Sequence, residues 1–230
     1  WGLSTLLSHY YLGIYNTPVD SSTVDKEYYH QILTYLKRSG SDQTVALNSD
    51  VLVNIDLNQV FHLHNVTKQK VTVVYKKLPK ELISDVNSIL DIDESDKVLK
   101  HELFQGGDKE VYNMSIDIFV VDTPFLIEKL EEEAAKEEPR KLRYVLRDLA
   151  VAENAFAYEH TGYLSNIHSV KSYFDANLDM LESQKFYSLF APNQKVYTKV
   201  KNEEPTYYAD SSEVKVSQFA SGSIVRGKVE

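Results

Sequence analysis

The chain has 230 residues and carries 34 acidic against 25 basic side chains, a formal net charge of −9, so it is long enough for one sizeable domain and something smaller. The negative balance argues against a nucleic-acid binder and against docking on an anionic membrane, both of which need a basic face. The absence of cysteine excludes disulfides, thiolate metal sites and a cysteine nucleophile. No apolar run approaches a membrane span and no basic-then-apolar leader opens the sequence, so a cytoplasmic protein is expected. Trp1 leads directly into the apolar, aromatic stretch Leu6–Tyr15, and the sequence closes at Lys228-Val229-Glu230 without a tail. Both ends read as cuts through structure, with a processed terminus as the alternative.

Tyr29, Ile32, Leu33 and Leu36 recur at helical spacing and predict a helix over 24–38, ended by Gly40. Thr44–Leu47 reads as a short strand and leads through Asn48-Ser49-Asp50 into Val51–Asp56. Asp56 and Gln59 form a capping-box pattern for a following helix that carries Val60, Phe61 and His64. Val71–Tyr75 reads as a buried strand. Residues 79–110 are polar and weakly patterned. Their cluster of Asp91, Asp93, Glu94 and Asp96 lacks the spacing of a calcium loop and is expected to be a solvated loop.

Ser115–Val121 reads as a strand, and Thr123-Pro124 opens a helix that buries Leu126, Leu130 and Ala134 and turns Glu131, Glu132 and Glu133 to water. Pro139 is expected to open another helix, with Leu142, Val145, Leu146 and Leu149 on its inner face. Its Arg140, Lys141, Arg143 and Arg147 form either an anion grip or, as favoured here, a solvated face paired with the acidic run before it. A last helix is predicted from Ser169, burying Val170, Tyr173, Phe174, Leu178 and Leu181. The alternation of strands and helices over 24–181 argues for an α/β layer fold with a mostly parallel sheet.

Residues 186–212 are aromatic, Pro-containing and irregular, and read as a linker. From Val214 to Val229, Phe219 and Val225 stand six residues apart among glycines, a spacing that fits coils of a parallel β-helix or a plain hairpin. The expected organisation is residues 1–185 as one domain, 186–212 as linker and 213–230 as the first β-helix coils.

Four stretches taken in order resemble a known family: Leu47-Asn-Ser-Asp-Val-Leu-Val-Asn-Ile-Asp56, Val71-Thr-Val-Val-Tyr-Lys-Lys77, Ser172-Tyr-Phe-Asp-Ala-Asn-Leu-Asp-Met-Leu181 and Tyr197-Thr-Lys-Val-Lys-Asn-Glu-Glu-Pro-Thr-Tyr-Tyr208. They resemble the ADP-glucose pyrophosphorylase (glucose-1-phosphate adenylyltransferase) family of bacterial glycogen synthesis, and within it the GlgD-type regulatory branch. The resemblance implies an α/β fold, a Rossmann-like nucleotidyltransferase domain with a GT-A-like mixed sheet whose N-terminal part is missing here, followed by the start of a left-handed parallel β-helix. The family's Gly-rich nucleotide loop has no counterpart, so the fragment is expected to bind ATP poorly and to hold no cofactor by itself.

The family reaction joins ATP and glucose 1-phosphate and releases pyrophosphate, which requires a divalent cation, Mg2+ in an active full-length protein. Active members hold it with two aspartates. The resemblance places the first at Asp50, whose other reading is a strand-end residue that caps a turn. An ungapped alignment back from Ala176-Asn177-Leu178-Asp179 places the second at Asn166, where an amide replaces the carboxylate; its other reading is a loop residue. The family's Glu-Lys-Pro lysine, which binds the sugar phosphate, has no counterpart in Lys100–Gln105. The substrate-site strand reads Asn113-Met114-Ser115-Ile116-Asp117, and the acid at Asp117 is expected to repel an anionic substrate.

His62, His64, His160 and His168 do not share a metal-binding spacing, and no nucleophile-elbow motif supports a hydrolase. The resemblance thus implies a regulatory, weakly or non-catalytic subunit assembling with a catalytic ADP-glucose pyrophosphorylase subunit into a hetero-oligomer. The alternatives are an active sugar-1-phosphate nucleotidyltransferase and a non-enzymatic hexapeptide-repeat scaffold. Self-association into a homo-oligomer is also expected of a fragment that exposes apolar surface.

Overall fold

The computed structural model describes residues 23–24, 26–197 and 202–230; the apolar stretch Leu6–Tyr15 and part of the Tyr197–Tyr208 motif lie outside them. The chain divides into two compact units, the first holding residues up to Ser49 and Leu57–Thr161, the second Asp50–Asp56 and Gly162–Glu230.

In the first unit the elements run α1 (Lys26–Ser39), β1 (Gln43–Ala46), α2 (Leu57–Thr67), β3 (Val71–Pro79), β4 (Ser88–Ile92), β5 (Val98–Leu103), β6 (Val111–Asp122), α3 (Thr123–Ala134), α4 (Leu142–Ala152) and β7 (Phe156–Glu159). β2 (Val51–Val53) belongs to the second unit. The helix α1 ends where expected, at Gly40, whose φ of +62° is the left-handed geometry that glycine adopts without strain. Its Tyr29, Ile32 and Leu36 join Val71, Val73, Tyr75, Phe119, Val121, Leu126, Leu130, Val145, Leu146 and Leu149 in one apolar core.

The six-stranded sheet has the order β5-β4-β6-β3-β7, with β1 also on β6. Only β3–β7 is parallel; β1–β6, β3–β6, β4–β5 and β4–β6 are antiparallel. The expectation of a mostly parallel sheet is therefore corrected to a mixed one. The alternation of strands and helices misleads because α3 and α4 follow one another between β6 and β7 instead of each returning the chain to a neighbouring parallel strand.

Two local expectations are also corrected, and the weakly patterned residues 79–110 prove to contain the β4–β5 hairpin. The acidic cluster lies at its exposed turn, as expected of a solvated loop, with Asp91 in the end of β4. Asp93 Oδ1 accepts the Ser95 and Lys97 N–H groups at 2.8 and 2.9 Å, and Asp96 takes a φ of +58°. The hairpin is hidden because most of β5 faces water, Leu99 and Leu103 included, so no apolar period marks it. Glu133 does not face water: it is buried, and its carboxylate accepts the Arg140 N–H at 2.8 Å and the Lys136 ammonium at 2.5 Å. Pro139 does not open α4. Its carbonyl accepts the Val24 N–H at 2.8 Å while Arg140 bridges Thr23, which holds this stretch extended until Leu142.

The second unit contains β2, β8 (Leu164–Asn166), α5 (Val170–Asp179), α6 (Ser183–Leu189), β9 (Tyr207–Tyr208), β10 (Glu213–Val214), β11 (Ile224–Val225) and β12 (Lys228–Val229). Ser169 caps α5 in a reciprocal box with Ser172. The expected burial of the α5 stripe does not hold: Val170, Tyr173, Phe174 and Leu178 are exposed, and Ala176 is the helix's buried residue. The stretch 186–212 is not uniformly irregular, since it includes the end of α6 and all of β9. β9 pairs parallel with β11, and β10 pairs parallel with β12. Parallel partners this close in sequence exclude a plain hairpin, whose strands run antiparallel.

Leu130 is fully buried in the core of the first unit. Leu130→Ala is expected to cost about 2–5 kcal/mol, read as a lowered urea midpoint at unchanged slope.

Candidate functional site

The second unit brings Asp50 and Asn166 to adjacent rungs of one small ladder. β2 and β8 pair antiparallel with Val51 opposite Asn166, and the Ile167 N–H donates to the Asp50 carbonyl at 2.8 Å. Two positions 116 residues apart in sequence are thereby neighbours in space. Asp50 lies in the bend just before β2, so the ladder fixes its rung but not its face. Asn166 is buried, and Asp50 half-buried.

Side-chain bonds hold this ladder in place. Asn54, just past β2, donates its amide to the carbonyls of Leu189 at 2.6 Å and Gln194 at 3.2 Å. Tyr163, just before β8, donates its hydroxyl to Asp179 at 2.9 Å, and Lys185 reaches the other oxygen of Asp179 at 2.7 Å. Burial, reinforced by Asp179, pushes the Tyr163 phenol up to about 12, so it stays a donor.

The donor set at Asp50 and Asn166 is one carboxylate and one neutral amide, and among the described residues no three His, Asp or Glu side chains converge as a metal site. A hard dication prefers anionic oxygens, so this pair lacks the charge to hold Mg2+ without phosphate oxygens from a substrate. The residues present do not fit a resident metal.

The other predicted positions lie on β6 in the first unit. Asn113 faces Lys77 across the β3–β6 ladder and its side chain donates to Leu90 O at 3.4 Å; Met114 faces Lys76 and is fully buried. Lys100–Leu103, where a sugar-phosphate lysine was sought, belongs to β5. Its His101 points inward with a wholly buried side chain.

Asp117 corrects an expectation. It sits at a φ of +49° where the β3–β6 register shifts, and its carboxylate is buried. Arg147 grips it with two bonds, of 2.6 and 3.2 Å, and Arg143 lies 3.6 Å away. A carboxylate paired with two guanidiniums does not project the repulsive field expected of it. Arg147 is correspondingly not part of a solvated face but 6% exposed.

The sequence reading missed this cluster. The signal available was an acid inside an apolar strand together with two arginines four apart on a helix, which share one face. The histidine constellation does not assemble either. His64 is buried between Thr72, at 2.8 Å, and Asp122, at 3.2 Å, and ties α2 to the sheet. No described helix is long and apolar enough to cross a membrane.

His101 completes the buried cluster. Its Nε2 meets Ser88 Oγ at 2.9 Å and lies 3.9 Å from Asp117, and its Nδ1 has no hydrogen-bond partner among the described residues. Burial holds the imidazole down to about 4, although Asp117 acts in the opposite direction. An unfolded chain takes up this proton near pH 6.5, and the fold resists it until about 4. Between those values the unfolded state binds more protons, so stability falls as pH drops through the interval, by about 3 kcal/mol in all. Urea titrations at pH 7 and 4.5 are expected to show this loss and to show it reduced in His101→Gln.

No family model matches the chain. Similar curated proteins are the glycogen biosynthesis protein GlgD of Bacillus subtilis strain 168 (27% identical over 198 residues, 86% of this chain and 47% of that protein) and the glucose-1-phosphate adenylyltransferase of Clostridium acetobutylicum (25% over 199 residues, 85% and 52%). The glucose-1-phosphate adenylyltransferase of Thermosipho africanus is 24% identical over 198 residues, 82% of this chain and 46% of that protein. The chain spans about half the length of the curated relatives it matches.

Proposed function

We propose that the chain, similar to GlgD and to glucose-1-phosphate adenylyltransferases over more than four-fifths of its length, is a GlgD-like member of the ADP-glucose pyrophosphorylase family, and that the whole protein serves glycogen biosynthesis as a regulatory, weakly or non-catalytic subunit. It would assemble in the cytoplasm with a catalytic glucose-1-phosphate adenylyltransferase subunit. The observation that carries this reading is the Asp50–Asn166 pair: β2 and β8 place the two positions on adjacent rungs, and one of them is an amide. Nucleotidyl transfer needs a cation to neutralise charge gathering on the α-phosphate, and one carboxylate fewer weakens its hold. A subunit that has lost this chemistry can still act on a partner, provided its contacts differ between two states of that partner.

The parallel pairs β9–β11 and β10–β12 support reading the second unit's C-terminal stretch as the first coils of a left-handed β-helix. Such coils offer an assembly surface. A second reading, an active nucleotidyltransferase using Mg2+, draws on the survival of Asp50 beside the Asn166 rung.

Pyrophosphate release by the full-length protein, alone and with the catalytic subunit, separates the readings. The regulatory reading expects negligible release alone, co-elution with the partner, and a changed partner rate or effector response. Robust release alone overturns it in favour of the active enzyme; no co-elution and no effect on the partner overturns it in favour of a scaffold. Asn166→Asp restores a second carboxylate, and divalent-cation affinity measured by calorimetry is expected to rise by about tenfold or more.

A further inference from the structure

We propose that the outer edge of β5 pairs with the same edge of a second copy of this chain, joining two sheets antiparallel about a two-fold axis at His101. β5 ends the strand order of its sheet. Among the described residues its outer side makes backbone pairing only at its start, where Lys97 bridges Phe156 and the Val98 N–H donates to Ala155 O at 2.9 Å; the helix α4 also packs against β5. Among the described residues, 99–103 continue past that point without a second neighbouring strand.

The backbone geometry leaves this stretch ready to pair. The Phe104 N–H donates to Asn87 O at 2.9 Å, in line with the β4–β5 register that sets Leu103 opposite Ser88. Alternation along an antiparallel ladder then turns the peptide groups of Glu102 and Lys100 toward β4 and those of His101 and Leu103 outward. An outward-facing central residue lets a two-fold antiparallel pairing set a hydrogen-bonded pair on its axis.

The side chains make that register self-complementary. With His101 opposite its own copy, Lys100 faces Glu102 of the second chain, and the reverse pair repeats the contact. Leu99 faces Leu103 in the same way. A lysine on an edge ordinarily deters a stray strand. In this register it meets a carboxylate, and a parallel in-register pairing would instead set like charges together. Opposite charges across a ladder attract and like charges directly opposed repel.

Exposure supports the same surface. Leu82, Val86, Leu99, Leu103 and Val111 are 45–56% exposed, and all lie in or beside the β4–β5 hairpin. An apolar rim around a charged, unpaired edge fits partner burial better than permanent hydration. The inference is independent of the proposed enzymology.

Sedimentation velocity across a concentration series of the full-length protein tests it, with circular dichroism as the fold control. The wild type is expected to self-associate. Lys100→Glu and Glu102→Lys, each alone, set like charges opposite one another twice per dimer and are expected to weaken association about tenfold or more. The double exchange Lys100→Glu with Glu102→Lys restores both pairs and should recover it, as should mixing the two single variants. A monomeric wild type overturns the proposal. So does association that is indifferent to the single changes, or a double exchange as weak as either single one.

Discussion

The first unit rests on a buried ion pair set into a kinked strand. At Asp117 the strand β6 leaves regular geometry, with a φ of +49° and a register shift against β3. Such a conformation is strained for a residue with a side chain and persists only where its surroundings hold it. Arg147 does so with two hydrogen bonds to a carboxylate that is 8% exposed. Removing one member of such a pair strands a charge in a poorly solvated place, at a cost of about 3–5 kcal/mol. The pair also ties three elements together: β6 through Asp117, α4 through Arg147 and Arg143, and β5 through His101. A neutral His101 is compatible with this arrangement because the carboxylate already has its cations.

That arrangement changes the meaning of the acid at position 117. Viewed as a lone charge among substrate-site positions it argues for repulsion of a sugar phosphate. Paired as it is, its field is largely cancelled, and what remains is a structural brace. Asp117 therefore lends no support to the proposed regulatory role, which rests on the amide at Asn166.

Legibility from sequence followed burial. β3, β6, α1 and α3 stood out because they alternate or repeat apolar residues against a common core. The β4–β5 hairpin did not, since Lys100 and Glu102 leave it half wetted, and its turn looked like an acidic cluster until the Asp93 side chain was seen to close it. Glu133, Arg147 and His101 were unreadable for a related reason. A charged residue is assigned to the surface by default, and the partners that make burial tolerable are distant in sequence, as Asp117 is from Arg147. The strand sense failed differently: helix order alone does not say whether a helix is a crossover. The Asp50–Asn166 neighbourhood was reached only through a resemblance, because 116 residues separate two polar positions with no local pattern joining them.

The Ala176-Asn177-Leu178-Asp179 stretch is fixed by packing and hydrogen bonds of its own. Ala176 is the buried residue of α5, where a larger side chain would meet packed neighbours. Asp179 binds Tyr163 and Lys185, and so connects the end of α5 to the approach of β8 and to α6. Asn177 bonds back to the Tyr173 carbonyl within the helix at 2.8 Å. Each of these contacts is made within the chain itself. They support the strand that carries Asn166 whether that residue is an amide or an acid. The constraints on the helix are therefore the same whichever of the two stands at position 166.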